Sequence, residues 1–91
     1  MAVDVRLPTV LRAHAGGRAT VSAEGATVGE VLADLVRSYP GMGGQVLTEE
    51  GTLHRFVNVY VDDDDVRYLE QLDTKVAPGA TVSILPAVAG G

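Results

Sequence analysis

The sequence predicts an α+β domain in which one helix crosses one face of a mixed sheet. Three observations carry that prediction. Short runs near both ends alternate apolar and polar residues, one central run switches to spacings of three and four, and the order is two strands, a helix, then two or three strands.

Residues 3 to 8, VDVRLP, put Val3, Val5 and Leu7 on one face of a strand and Asp4 and Arg6 on the other, with Pro8 at its end. After a loop containing HAGG, the run RATVSA (18 to 23) sets Ala19, Val21 and Ala23 in phase. Gly16 and Gly17 are suited to the turn between these two strands, so the pair reads as an antiparallel hairpin.

The helix follows in TVGEVLADLVRSYPG. Val28, Val31, Leu32, Leu35, Val36 and Tyr39 line one stripe, Thr27 and Glu30 have capping-box spacing, and Pro40-Gly41 ends the element. Residues 41 to 53 are Gly-rich and read as a loop with a helical turn near Val46 and Leu47.

RFVNVYV (55 to 61) predicts a strand with Val57, Val59 and Val61 inward and Phe56, Asn58 and Tyr60 outward. DDDD turns the chain, VRYL reads as a short edge strand, and PGATVSILP supplies a turn and a last strand with Val82 and Ile84 inward. The total is four to five strands. One helix covers one face, so the other face is wet or meets a partner.

At 91 residues the chain is long enough for one core, with roughly 60 to 65% of the unfolded surface buried. Its 46% apolar and 21% charged residues are those of a globular protein. There is no Cys, hence no disulfide frame, cysteine nucleophile or cysteine metal site. No apolar run reaches membrane-spanning length and the N-terminal residues lack the pattern of a secretory signal, so a soluble cytoplasmic protein is expected, with no membrane partner. A net charge of −5, with six Arg and one Lys, disfavours nucleic acid and favours a basic protein partner. A monomer is expected.

Most chemically suggestive residues have structural readings. An EF-hand loop starting at Asp62 needs Gly at its sixth position, where Arg67 stands, so Asp62 to Asp65 reads as a solvated turn. His14 and His54 with Ser22, Ser38 or Ser83 lack a nucleophile-elbow context and read as surface or packing residues. GMGG lacks the Gly-Lys-Ser/Thr ending of a phosphate loop, so the chain is not expected to bind ATP unaided, and with no metal ligand set in the sequence no bound metal is expected either. No catalytic residue is assigned.

Two features remain. Parity puts Phe56 and Tyr60 on one face of their strand and Leu85 opposite Val82 and Ile84; if the two strands pair, Phe56, Tyr60 and Leu85 form a partner-docking patch on the face away from the helix. Beyond Pro86 come Ala87, Val88, Ala89, Gly90 and Gly91, which are narrow and uncharged. Such a tail buries little, and fully extended it reaches about 17 Å, a form suited to threading into a partner's channel.

The stretches VRLPTVLR, GGRATVSAEGATVGEVLADL, LHRFVNVYVDDDDVR and VSILPAVAGG together resemble the ubiquitin-like sulfur carriers of the β-grasp fold, related to ThiS and MoaD and most similar to the CysO type. The resemblance implies a β-grasp domain over residues 1–86 and a flexible tail over 87–91. It also implies that the Gly91 carboxylate is the sulfur attachment site, adenylated by an E1-like enzyme with ATP and converted to a thiocarboxylate. In the CysO type the sulfur then passes to an activated serine derivative on a PLP-dependent cysteine synthase, and a metal-dependent peptidase releases the product. On this reading ATP, PLP and the peptidase metal belong to partners, and another sulfur-accepting synthase is an alternative acceptor. Two rival readings are a MoaD-like small subunit of molybdopterin synthase and a ubiquitin-like modifier conjugated through Gly91.

Overall fold

The first strand, β1 (Ala2–Arg6), alternates exposed and buried residues, because successive side chains leave a strand on opposite faces. Val3 and Val5 point into the core and Leu7 joins them just past the strand. The computed structural model describes residues 2–48, 53 and 57–86.

The link to the second strand differs from the expected loop. Pro8 precedes a helical turn, α1 (Thr9–Arg12), which runs into a 3₁₀ turn at Ala13–Ala15. Four residues are too few to show a helical period, and what holds the turn is tertiary: Leu11 is buried beneath it. Gly16 and Gly17 then reverse the chain with φ of 67° and 87°, a region that side chains with a Cβ avoid. β2 (Thr20–Glu24) pairs antiparallel with β1 and buries Val21 and Ala23. Ala19 lies outside the strand and is exposed, so the inward phase begins at Val21.

The central helix, α2 (Val28–Ser38), buries Val28, Val31, Leu32 and Leu35. Val36 and Tyr39, the outer members of the predicted stripe, are half-buried. Thr27 accepts a hydrogen bond from the Glu30 amide (3.2 Å), while the Glu30 carboxylate accepts one from the Ala26 amide (3.0 Å). This is a capping box whose return arm reaches one residue beyond the cap. At the other end, Pro40–Met42 forms a 3₁₀ turn leading into α3 (Gly43–Val46), where one helical turn is predicted.

β3 (Val57–Val61) is followed by a tight turn at Asp62 and Asp63 and a two-residue strand, β4 (Asp64–Asp65). The short edge strand is therefore part of the acidic run, and not VRYL; Val66–Tyr68 instead forms a 3₁₀ turn. The reason is local. Asp62 has φ of 55°, its amide donates to the Thr81 carbonyl at 2.8 Å and its carboxylate accepts from the Thr81 amide at 3.2 Å, which ties the turn to the last strand. Val66 is then fully buried and anchors the segment that follows.

The last strand, β5 (Thr81–Pro86), completes a five-stranded sheet of order β2-β1-β5-β3-β4. β5 is central, parallel to β1 and antiparallel to β3. Val3, Val5, Val21, Ala23, Val57, Val59, Val82 and Ile84 form the sheet's buried layer in one core cluster with the α2 residues. Each buried Val or Ile in this layer contributes about 1.5–3 kcal/mol relative to exposure.

Candidate functional site

β5 carries the chain to Pro86, the point from which residues 87–91 continue, so the surroundings of that strand end are the root of the tail. Val57 stands opposite Pro86, Asn58 opposite Leu85 and Tyr60 opposite Ser83. This register sets Tyr60 and Leu85 on the sheet face away from α2, on adjacent strands and two positions apart. Tyr60 is half-buried and Leu85 is 46% exposed. The other predicted site residues, Phe56, Ala87, Val88, Ala89, Gly90 and Gly91, lie outside the described residues.

The same face gains residues that sequence parity did not link to the tail. Arg6 pairs with Ser83 on one side and Thr20 on the other, so Thr20, Arg6, Ser83, Tyr60 and Asp65 form a row across all five strands. Because β1 and β5 run parallel, both strands end on the same side of the domain, where α1 begins. A groove of about 500 Å³ lies at these strand ends beside α1, bordered by Arg6, Pro8, Val10, Arg12, Leu85 and Pro86. Val10, on the outer side of α1, is 67% exposed. The Arg12 Nε donates to the Leu7 carbonyl at 3.2 Å, which fixes that guanidinium beside the end of β1.

A smaller apolar groove of about 260 Å³ adjoins it, lined by Pro8, Val10, Leu11 and Val57 with Gly44 and Gln45 of α3 and Pro86. Gln45 in turn touches His14, whose Nε2 lies 3.2 Å from the Gln45 amide nitrogen. The His14 ring packs over Gly41 so closely that a Cβ there would come within 2.5 Å of Nδ1. His14 is thus an exposed residue packed against Gly41 and Gln45. The acidic run is likewise a turn and an edge strand, as its bonds to Thr81 show.

The arrangement offers no cluster of described His, Cys, Asp or Glu able to hold a metal ion. Among the described residues, no helix is long and apolar enough to cross a membrane. What it does offer is a tail root on a central strand, an exposed sheet face, and an adjoining groove of mixed apolar and cationic character.

Residues 5–91 match the model of the ThiS family. The chain belongs to the ThiS family. It is 50% identical over 93 residues, covering 100% of both chains, to the sulfur carrier protein CysO of Mycobacterium tuberculosis. Its fold superposes with a TM-score of 0.89 and 49% identity on a chain from the crystal structure of the Amycolatopsis orientalis BexX/CysO complex, covering 98% of this chain and 99% of that one. The crystal structure of Mycobacterium tuberculosis CysO matches with a TM-score of 0.88 and 49% identity, covering 94% and 99%. The mixed sheet with its crossing helix is accordingly the β-grasp fold of ThiS-family proteins.

Proposed function

We propose that the protein is a sulfur carrier of the CysO type, a co-substrate for partner enzymes and not itself a catalyst. The observation that supports this most strongly is the 50% identity to CysO across 100% of both chains. In this reading the Gly91 carboxylate is the working group. A carboxylate is a poor electrophile until a good leaving group is attached. An E1-like adenylating partner supplies one by joining the carboxylate to the α-phosphate of ATP with release of pyrophosphate. A sulfide-level donor then attacks the acyl carbon, AMP leaves, and the product is a thiocarboxylate. Its sulfur is soft and largely ionised, so it attacks as a thiolate would without a cysteine in the chain.

The acceptor in this proposal is a PLP-dependent cysteine synthase or another sulfur-accepting synthase, with a metal-dependent peptidase releasing an amide-linked product. PLP and the metal are held by those partners. That a CysO occurs in a complex with BexX supports a carrier that works bound to a partner protein.

The sheet face has a role in this scheme. Ordering five tail residues costs about 1 to 2 kcal/mol each, on the order of 5 to 10 kcal/mol in all, and small side chains recover little of it. Partners therefore also dock on Phe56, Tyr60 and Leu85, which positions Ala87 to Gly91 for insertion. Intact mass spectrometry after incubation with an adenylating enzyme, ATP and sulfide tests the core of the proposal. One oxygen replaced by sulfur, with no change in a variant lacking Gly91, is the expected result. An unchanged mass in the native chain overturns it.

A further inference from the structure

The root of the tail differs in charge from the rest of the molecule. The chain carries 12 acidic and seven basic side chains, yet among the described residues the only charged ones lining the 500 Å³ groove beside Pro86 are Arg6 and Arg12. No described carboxylate borders it, and the acidic residue on the same face of β1, Asp4, lies two positions back toward the opposite end of the sheet. No hydrogen bond or ion pair joins the Arg6 guanidinium to another described residue, whereas Arg12 is held by the Leu7 carbonyl. The same groove is also lined by two exposed apolar side chains, Val10 of α1 and Leu85 of β5.

We infer that this groove receives a carboxylate-bearing apolar segment of the adenylating partner, and that Arg6 and Arg12 set the affinity and orientation of docking. The inference rests on the sulfur-carrier reading and specifies the surface through which the activating enzyme is recognised. Three features favour a protein carboxylate as occupant. A guanidinium presents a planar fork that matches a carboxylate in two parallel hydrogen bonds. The exposed apolar lining, Val10 and Leu85, needs an apolar partner surface to cover it. The groove is also continuous with the Tyr60 and Leu85 face, since Arg6 and Tyr60 flank Ser83 in one cross-sheet row. A negatively charged protein with a positive docking groove favours partner surfaces that are acidic opposite the groove and rejects poses that meet the acidic turn.

The test separates docking from chemistry. Binding of the full-length chain to the E1-like enzyme of the same organism is measured without ATP, from about 50 to about 300 mM salt, and conversion is followed separately by mass. Arg6→Glu is expected to weaken binding about ten-fold or more at low salt and to flatten the salt dependence. Arg6→Lys, which keeps the charge but not the planar fork, should bind between the native chain and Arg6→Glu. Arg37→Glu on α2 makes the same change in net charge away from the groove and should bind like the native chain. Equal binding by Arg6→Glu within about two-fold, or a loss seen only when ATP is present, overturns the inference. So does an absence of native binding. Native binding without any mass change would instead count against the sulfur-carrier reading, while the Arg6 comparison would still decide the groove.

Discussion

Arg6 and Ser83 stand side by side in the parallel pairing of the first and last strands, although 76 residues lie between them in the chain. That single register step brings an N-terminal cation to within one strand of Tyr60 and to the same groove as Leu85 and Pro86. The tail root is therefore assembled from both ends of the chain.

Leu85→Asp places a charge on the proposed docking face while leaving the core layer of Val82 and Ile84 untouched. Its KM for adenylation should rise about ten-fold or more with an unchanged unfolding midpoint. Steady-state kinetics beside a thermal melt checks this, and an unaltered KM would remove Leu85 from the docking surface.

Gly25 sits where β2 hands over to the helix cap. A Cβ there would lie 2.6 Å from the Val31 amide nitrogen and 2.7 Å from the Glu30 Cβ, atoms of a helix that cannot easily give way. Gly25→Ala should destabilise the fold by about 1–3 kcal/mol, read from urea unfolding. A neutral result would mean that the cap moves more freely than its hydrogen bonds imply.

Thr27→Ala removes the acceptor of the Glu30 amide at the start of α2. The expected cost is about 1 kcal/mol. Glu30→Gln keeps an acceptor for the Ala26 amide and should cost less, and circular dichroism during denaturation distinguishes the two.

Asp34 accepts from the Glu24 amide at 2.9 Å and pairs with Arg37, and these contacts, the backbone bond first, lower its pKa from 3.8. A carboxyl group with a depressed folded pKa stabilises the fold above its unfolded pKa and loses that contribution as pH falls through the folded value. Stability should therefore decline below about pH 3.8 in the native chain, and Asp34→Asn should flatten that part of the profile in pH-dependent melts.

Local signals carried much of the architecture. The Thr27 to Glu30 spacing and the Val28, Val31, Leu32, Leu35 stripe located the helix because capping and amphipathicity act within a few residues. Parity sorted Val57 and Val59 from Asn58 and Tyr60 for the same reason. Arg6 was legible as an outward residue, but its position beside the tail depends on a parallel pairing between the chain's two ends, which no local pattern encodes. Val10 and Arg12 were missed because α1 is one turn held by the burial of Leu11. The Asp64–Asp65 edge strand was missed because acidic residues are poor strand formers, and the Asp62 bonds to Thr81 override that preference.

The placement of β5 between β1 and β3 also has a mechanical side. In the proposed function, an enzyme that grips the tail pulls along a strand paired with β3 over Val82–Pro86 and with β1 over Thr81–Ser83. Such a load shears two ladders together, where an edge strand would peel away one bond at a time. If the proposed function holds, traction on the tail is spread over the middle of the sheet, and a partner could draw the terminus in without unravelling the carrier.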